Sequence, residues 1–209
     1  MNIFLIIIAI AFTIWITGTL FVIRGIEEPS YMVIEKKDGY EIREYEAYIV
    51  AEVEVEGDMR TAMNSGFRQL AGYIFGGNTS KSQVAMTVPV MDTTKASESI
   101  AMTSPVMERV SSLGKRIVAF TMPSKYTLDN LPKPDNENIR FRIVEKSQKA
   151  VLRYTWYATS KRVDKKKKFL NDLLIHDGYT IKGEMTSAQY NPPLSFPILR
   201  RNEIIVDIE

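Results

Sequence analysis

The sequence predicts an α+β fold behind a membrane-spanning N-terminal helix. Three observations carry this. The chain opens on a long uncharged apolar run, several stretches alternate apolar and polar residues, and two stretches space their apolar residues as a helix does. Consecutive strands with one helix in each half pack as a mostly antiparallel sheet carrying helices.

The apolar run is "IFLIIIAIAFTIWITGTLFVI", residues 3–23, with no charge in 21 positions. At helical rise it spans roughly 30 Å, the hydrocarbon thickness of a bilayer. The alternative is a cleaved signal peptide, which wants a basic start, a shorter apolar core and a small-residue cleavage site. No Lys or Arg precedes the run and no A-x-A follows it. Residues 1–24 are therefore expected to be a single-pass anchor, 25–32 a linker broken by Pro29, and 33–209 the folded domain. Arg24 alone does not orient the anchor by the positive-inside rule, so the side of the membrane stays open.

"DGYEIREY" (38–45) reads as a turn and a short strand. "YIVAEVEVEG" (48–57) alternates Ile49, Ala51, Val53 and Val55 against Val50, Glu52, Glu54 and Glu56, the pattern of a half-buried strand. Asp58 offers an N-cap for a helix over 59–75. Its apolar stripe is Met59, Ala62, Met63, Phe67, Leu70, Ala71 and Ile74. Gly66 and Gly72 each weaken it by roughly 1 kcal/mol relative to Ala, so packing must hold it. Gly76-Gly77-Asn78 stops it. Further strands are expected in 115–126, 139–146 and 150–159, with a Pro-rich loop at 131–138. A second helix fits 162–176, with Val163, Phe169, Leu170, Leu173 and Leu174 apolar, and "YTIKGEM" and "NEIIVDIE" close the chain. A Gly-Tyr pair opens a strand in each half (Gly39-Tyr40, Gly178-Tyr179), which hints at an internal repeat.

Composition excludes several functions. Lys+Arg is 27 and Asp+Glu is 25, a net charge of +2 that does not suggest a nucleic-acid binder. With no cysteine there is no disulfide, thiolate metal site or cysteine nucleophile. His176, the sole histidine, cannot supply a His-based zinc site. It sits at a helix C-terminus, where the dipole favours a capping role; a haem axial ligand is the rival role. The basic run "KRVDKKKKF" (161–169) reads as a solvated helix face, or as a contact for anionic headgroups. No Ser/His/Asp order, P-loop or dinucleotide fingerprint occurs.

"VAMTVPVM" (84–91) and "IAMTSPVM" (100–107) match at six of eight positions. They read as twin strands of an antiparallel hairpin, with Pro89 and Pro105 at an edge, bulge or strand end because neither has an N–H for the ladder. The methionines are core packing, a ligand-facing wall, or a soft-metal site, in falling order.

These motifs, with "GYEIREYEAYIVAEV", "FRQLAGYIFGGN", "FTMPSKYTLDNLPKP" and "YNPPLSFPILRRNEIIVDI", together resemble the SOUL / haem-binding protein family from about residue 33 to 208. The resemblance implies a distorted, twisted antiparallel β-barrel of about eight strands with two long helices, built by pseudo-twofold duplication. It implies non-covalent binding of haem or another tetrapyrrole and no enzymatic activity. Carried over, the pocket would use Met59, Arg60, Met63, Phe67 and Leu70 on the first domain helix, and Tyr190, Phe196 and Ile198 on a C-terminal loop. The histidine thought to ligate haem in some members has no counterpart between residues 31 and 48, so burial rather than ligation would hold the ring. The expected partners are a tetrapyrrole and, through the N-terminal helix, a membrane. Two other readings stand beside this one. The chain is a binding module for another amphiphilic molecule or a protein, or a hydrolase, which would need a Glu inside the barrel with a raised pKa.

Overall fold

The computed structural model describes residues 3–22, 24–81 and 96–209. The first octapeptide, residues 84–91, lies outside them. Helix α1 (Ile3–Val22) is long and apolar enough to cross a membrane. Strands β1 (Tyr31–Lys36), β2 (Glu41–Tyr45) and β3 (Tyr48–Val55) follow, then helix α2 (Met59–Ile74). Next come β4 (Asn78–Thr79), β5 (Val106–Val110), β6 (Arg116–Thr121), β7 (Lys133–Pro134), β8 (Ile139–Val144) and β9 (Ser147–Tyr154). Helix α3 (Ser160–His176), β10 (Ile181–Gln189), a 3₁₀ turn (Pro197–Leu199) and β11 (Asn202–Ile208) complete the chain.

Nine strands form one curled antiparallel sheet in the order β1-β2-β9-β11-β10-β5-β6-β3-β8. The order is a strand-exchanged duplication. From the β10–β5 junction outward, one half runs β10-β11-β9-β2 and the other β5-β6-β3-β8. In each half the two strands after the helix come first, then the strand before it, then a strand lent by the other half.

Each half has its own core. In one, Ala62, Leu70, Tyr73 and Ile74 of α2 pack on Ala51, Val53, Val118 and Phe120. In the other, Val163, Leu170 and Leu174 of α3 pack on Ile42, Leu152, Ile204 and Val206. Asp58 caps α2 by accepting from Thr61 N at 2.8 Å, and Thr159 caps α3. Gly66 sits where α2 crosses β6: a Cβ there would meet Val118 at 2.5 Å. Packing does hold this helix, as its glycines require.

The structure departs from the sequence reading in places. The first strand, β1, is an added edge strand. Its Met32, Val33 and Ile34 are all exposed, so no alternation marked it. Val50 was expected on a polar face with Glu52 and Glu54, yet it is fully buried, because the sheet curls over its second face. The expected hairpin of twin octapeptides would need the first copy, which lies outside the described residues. Val106 and Met107 of the second copy are in β5, between β6 and β10. Pro105 does stand at a strand end, immediately before β5, behind a cis Ser104–Pro105 bond. Residues of the stretch expected to be a linker touch the folded domain. Glu28 pairs with Arg201 at 2.8 Å, and Glu27 accepts from Ser124 N at 2.6 Å.

Candidate binding groove on the concave face

Alternate residues on each strand point away from the helices, into the curl. There Tyr48, Met107, Ile117, Ala119, Arg142, Val144, Lys149 and Ile205 line one groove of about 510 Å³. Strands β8 and β9 stand six places apart in the sheet, so only strong curvature brings Arg142 and Lys149 to one cavity. The floor is apolar: Met107, Ile117, Ala119, Val144 and Ile205. The cations around it are Arg109, Arg142, Lys149 and Lys182.

These cations are partnered. Arg109 and Arg142 share Glu52, at 3.4 and 3.2 Å. Lys149 pairs with Asp207, which also accepts from Ser147 Oγ at 2.7 Å. Lys182 reaches Glu209 at 2.9 Å. The pairs shared with solvent contribute little to stability and exchange readily for a ligand carboxylate. Burial, with the Tyr45 charge second, holds the Tyr48 phenol well above its ordinary value, so it stays protonated.

The register Arg43↔Lys149↔Asp207 carries the same face into a second cluster. Glu203, fully buried, takes Arg43 Nη1 at 3.1 Å, Arg201 Nε at 2.9 Å and the Tyr190 hydroxyl at 2.6 Å. Arg43 also donates to Glu41 at 2.8 Å and lies over the Tyr31 ring. Burial opposes the Arg43 charge, but Glu203 and its other partners outweigh it and raise its pKa. A carboxylate enclosed in this way has no free lone pair for general-base chemistry. A second buried carboxylate, Glu108, lies on the helix face at the β5–β10 junction. It pairs with Arg116, and its Oε2, like Ser187 Oγ across the ladder, has no hydrogen-bond partner.

The sequence-derived site residues are dispersed. Met59 and Leu70 are buried in the two different cores. Met63 packs at the edge of the α2 core, Arg60 is exposed, and Phe67 is part-exposed with its ring on Phe120. Tyr190 belongs to the Glu203 cluster, Phe196 stacks on Phe12 and Trp15 of α1, and Ile198 is exposed. Among the described residues no hydrogen bond or ring contact joins α2 to residues 190–199. The groove residues were missed because Arg43, Arg109, Arg142 and Lys149 occupy the polar positions of alternating strands. Such positions read as solvated unless the curl is known. The "RRNE" motif, which holds Arg201 and Glu203, was the one signal pointing here. His176 is exposed at the end of α3, bonded to Asp177 at 2.8 Å.

Comparison with solved structures supports the fold. The C-terminal domain of EcmrR superposes with a TM-score of 0.56 at 10% identity, over 86% of this chain and 98% of that one. A structure described as a hydrolase from Listeria innocua gives 0.51 at 11% identity, over 84% and 94%. An uncharacterized conserved protein from Listeria innocua gives 0.50 at 11%, over 92% and 98%. No curated protein matches the sequence. The sequence model described as SOUL heme-binding protein matches residues 26–207, which is every strand of the curled sheet and both helices packed on it. The chain therefore belongs to the SOUL heme-binding protein family.

Proposed function

We propose that this protein binds haem or a related tetrapyrrole in the concave groove, beside a membrane to which α1 anchors it. The observation that carries this is the groove's chemistry: an apolar floor under Arg109, Arg142, Lys149 and Lys182. A tetrapyrrole is a flat apolar ring with carboxylates at its rim, and such a surface complements both parts. Arg142 and Lys149 would receive the carboxylates as their present partners are exchanged.

The iron would contribute little. The groove lining contains no histidine, and the Tyr48 phenol is held protonated. Among the lining residues Met107 offers a thioether, a weak axial donor. If the ring and carboxylates carry affinity, iron-free protoporphyrin binds within a few-fold of haemin, and the haemin dimethyl ester at least about tenfold more weakly. The test is a titration of the full chain in detergent micelles against empty micelles, following the Soret band. Saturation near one ring per chain is expected. No saturable difference from empty micelles would overturn the proposal.

The second reading, another amphiphilic anion, is favoured by the same absence of a histidine ligand. Equal displacement of bound protoporphyrin by a fatty acid at comparable concentration would support it over the first.

A further inference from the structure

The loop between β10 and β11 does not cover the groove; it packs on α1. Phe196 stacks edge-on against Phe12 and Trp15, with ring centroids 5.0 and 4.9 Å apart. Trp15 Nε1 donates to Leu194 O at 2.7 Å, and Phe196 N donates to Thr19 Oγ1 at 2.9 Å. Residues 12, 15 and 19 form one stripe of α1. If the helix spans the bilayer with Val22 at the surface, this stripe lies about 5 to 15 Å below it. The docked linker holds α1 in that relation to the domain.

A non-helical segment at such depth must satisfy its own backbone. Much of the backbone here is satisfied. Pro192, Pro193 and Pro197 have no N–H to satisfy. Ser195 N donates to Pro192 O at 3.1 Å, and Leu199 N to Phe196 O at 3.0 Å. The buried Arg200 closes Pro192 O and Pro193 O at 3.2 and 2.9 Å. Pro197 O accepts from Trp156 N at 2.9 Å. The side chains left pointing outward are apolar. Leu194 is 85% exposed, Ile198 is exposed on the same loop, and Trp156 and Tyr157, which meet the loop at Pro197 and Arg200, are exposed too. Trp156 keeps a left-handed backbone, φ 73°, rare for a bulky residue. An apolar tip with Trp and Tyr at the base of its loop matches the layering of a membrane interface.

We infer that residues 192–199 enter the acyl region of the bilayer that α1 spans, as a wedge with Leu194 at its tip. The inference rests on the anchoring reading of α1. It fixes the domain against the membrane, with the β10–β11 loop down and the β5–β6 turn away.

The absence of cysteine makes the test direct. Leu194→Cys, Ile8→Cys and Leu113→Cys, each alone in the full chain, carry a nitroxide in vesicles of phosphatidylcholine and phosphatidylglycerol. All three positions are exposed, so the label replaces no packing. Collision with oxygen exceeds collision with a water-soluble nickel chelate in the bilayer, and the ratio reverses in water. The expected result is a bilayer ratio at 8 and 194 and a water ratio at 113. A bilayer ratio at 8 with a water ratio at 194 overturns the wedge and leaves the anchor. A water ratio at 8 overturns both.

Discussion

Glu203 is fully buried, against the buried Arg43 and the half-buried Arg201. Removing the Glu203 charge leaves Arg43 with Glu41 and Arg201 with Glu28, two cations sharing less negative charge than before at a buried position. Glu203→Gln is expected to lower stability by about 3–5 kcal/mol in denaturant unfolding of the micelle-held chain. A loss under about 1 kcal/mol would mean that water enters the cluster. Asp58 is a simpler case. It accepts from Thr61 N, and its carboxyl is held below the ordinary range by that backbone bond. Asp58→Ala should cost about 1 kcal/mol. Asp58 was legible as a cap from its place before a helical stripe, whereas Glu203 was not. Strand alternation tells which residues share a face, but not whether a face curls shut.

Among the elements, α2 shows what sequence period does reveal. Its start matched the expected residue and its end fell one residue short, because cap, stripe and Gly-Gly stop all lie close in the chain. Its two inner glycines separate under test. A Cβ on Gly66 meets Val118, so Gly66→Ala should cost about 1–3 kcal/mol through forced movement of α2 against β6. A Cβ on Gly72 meets nothing within 4 Å, so Gly72→Ala should stabilise by about 0.5–1 kcal/mol. Thermal unfolding of the two variants decides the pair; equal shifts would contradict the packing described. The second octapeptide shows the limit of the same method. Its likeness to the first implied a hairpin whose other strand lies outside the described residues, and β5, which holds its last two residues, lies between β10 and β6.

At the scale of the whole molecule, two half-sheets exchange one strand each and curl around a groove with an apolar floor and charged residues about it. Element types and the anchor-like helix were legible because each rests on local spacing. The groove was not, because it is made by strands far apart in the chain. Folding also buries phenols. Burial, with Glu203 second, pushes Tyr45 up to about 12, and burial, with the Glu98 bond second, pushes Tyr126 up to about 12, from an ordinary 10. The folded chain then keeps protons that the unfolded chain releases between these values. This contribution to stability is full below pH 10 and is lost as pH rises through 12. Tyrosinate absorbance should therefore show a late class of phenols rising together with unfolding; early, independent ionisation would contradict their burial.

The central claim is that the ligand sits in the curl of the sheet and not on the outer helix. Haemin titration of two variants tests it most directly. Thr186→Trp fills the groove from β10, and Phe67→Asp places a charge on the exposed side of α2. Loss of the saturable Soret shift in Thr186→Trp, with the shift kept in Phe67→Asp, is the predicted result. The shift kept in Thr186→Trp and lost in Phe67→Asp would contradict it.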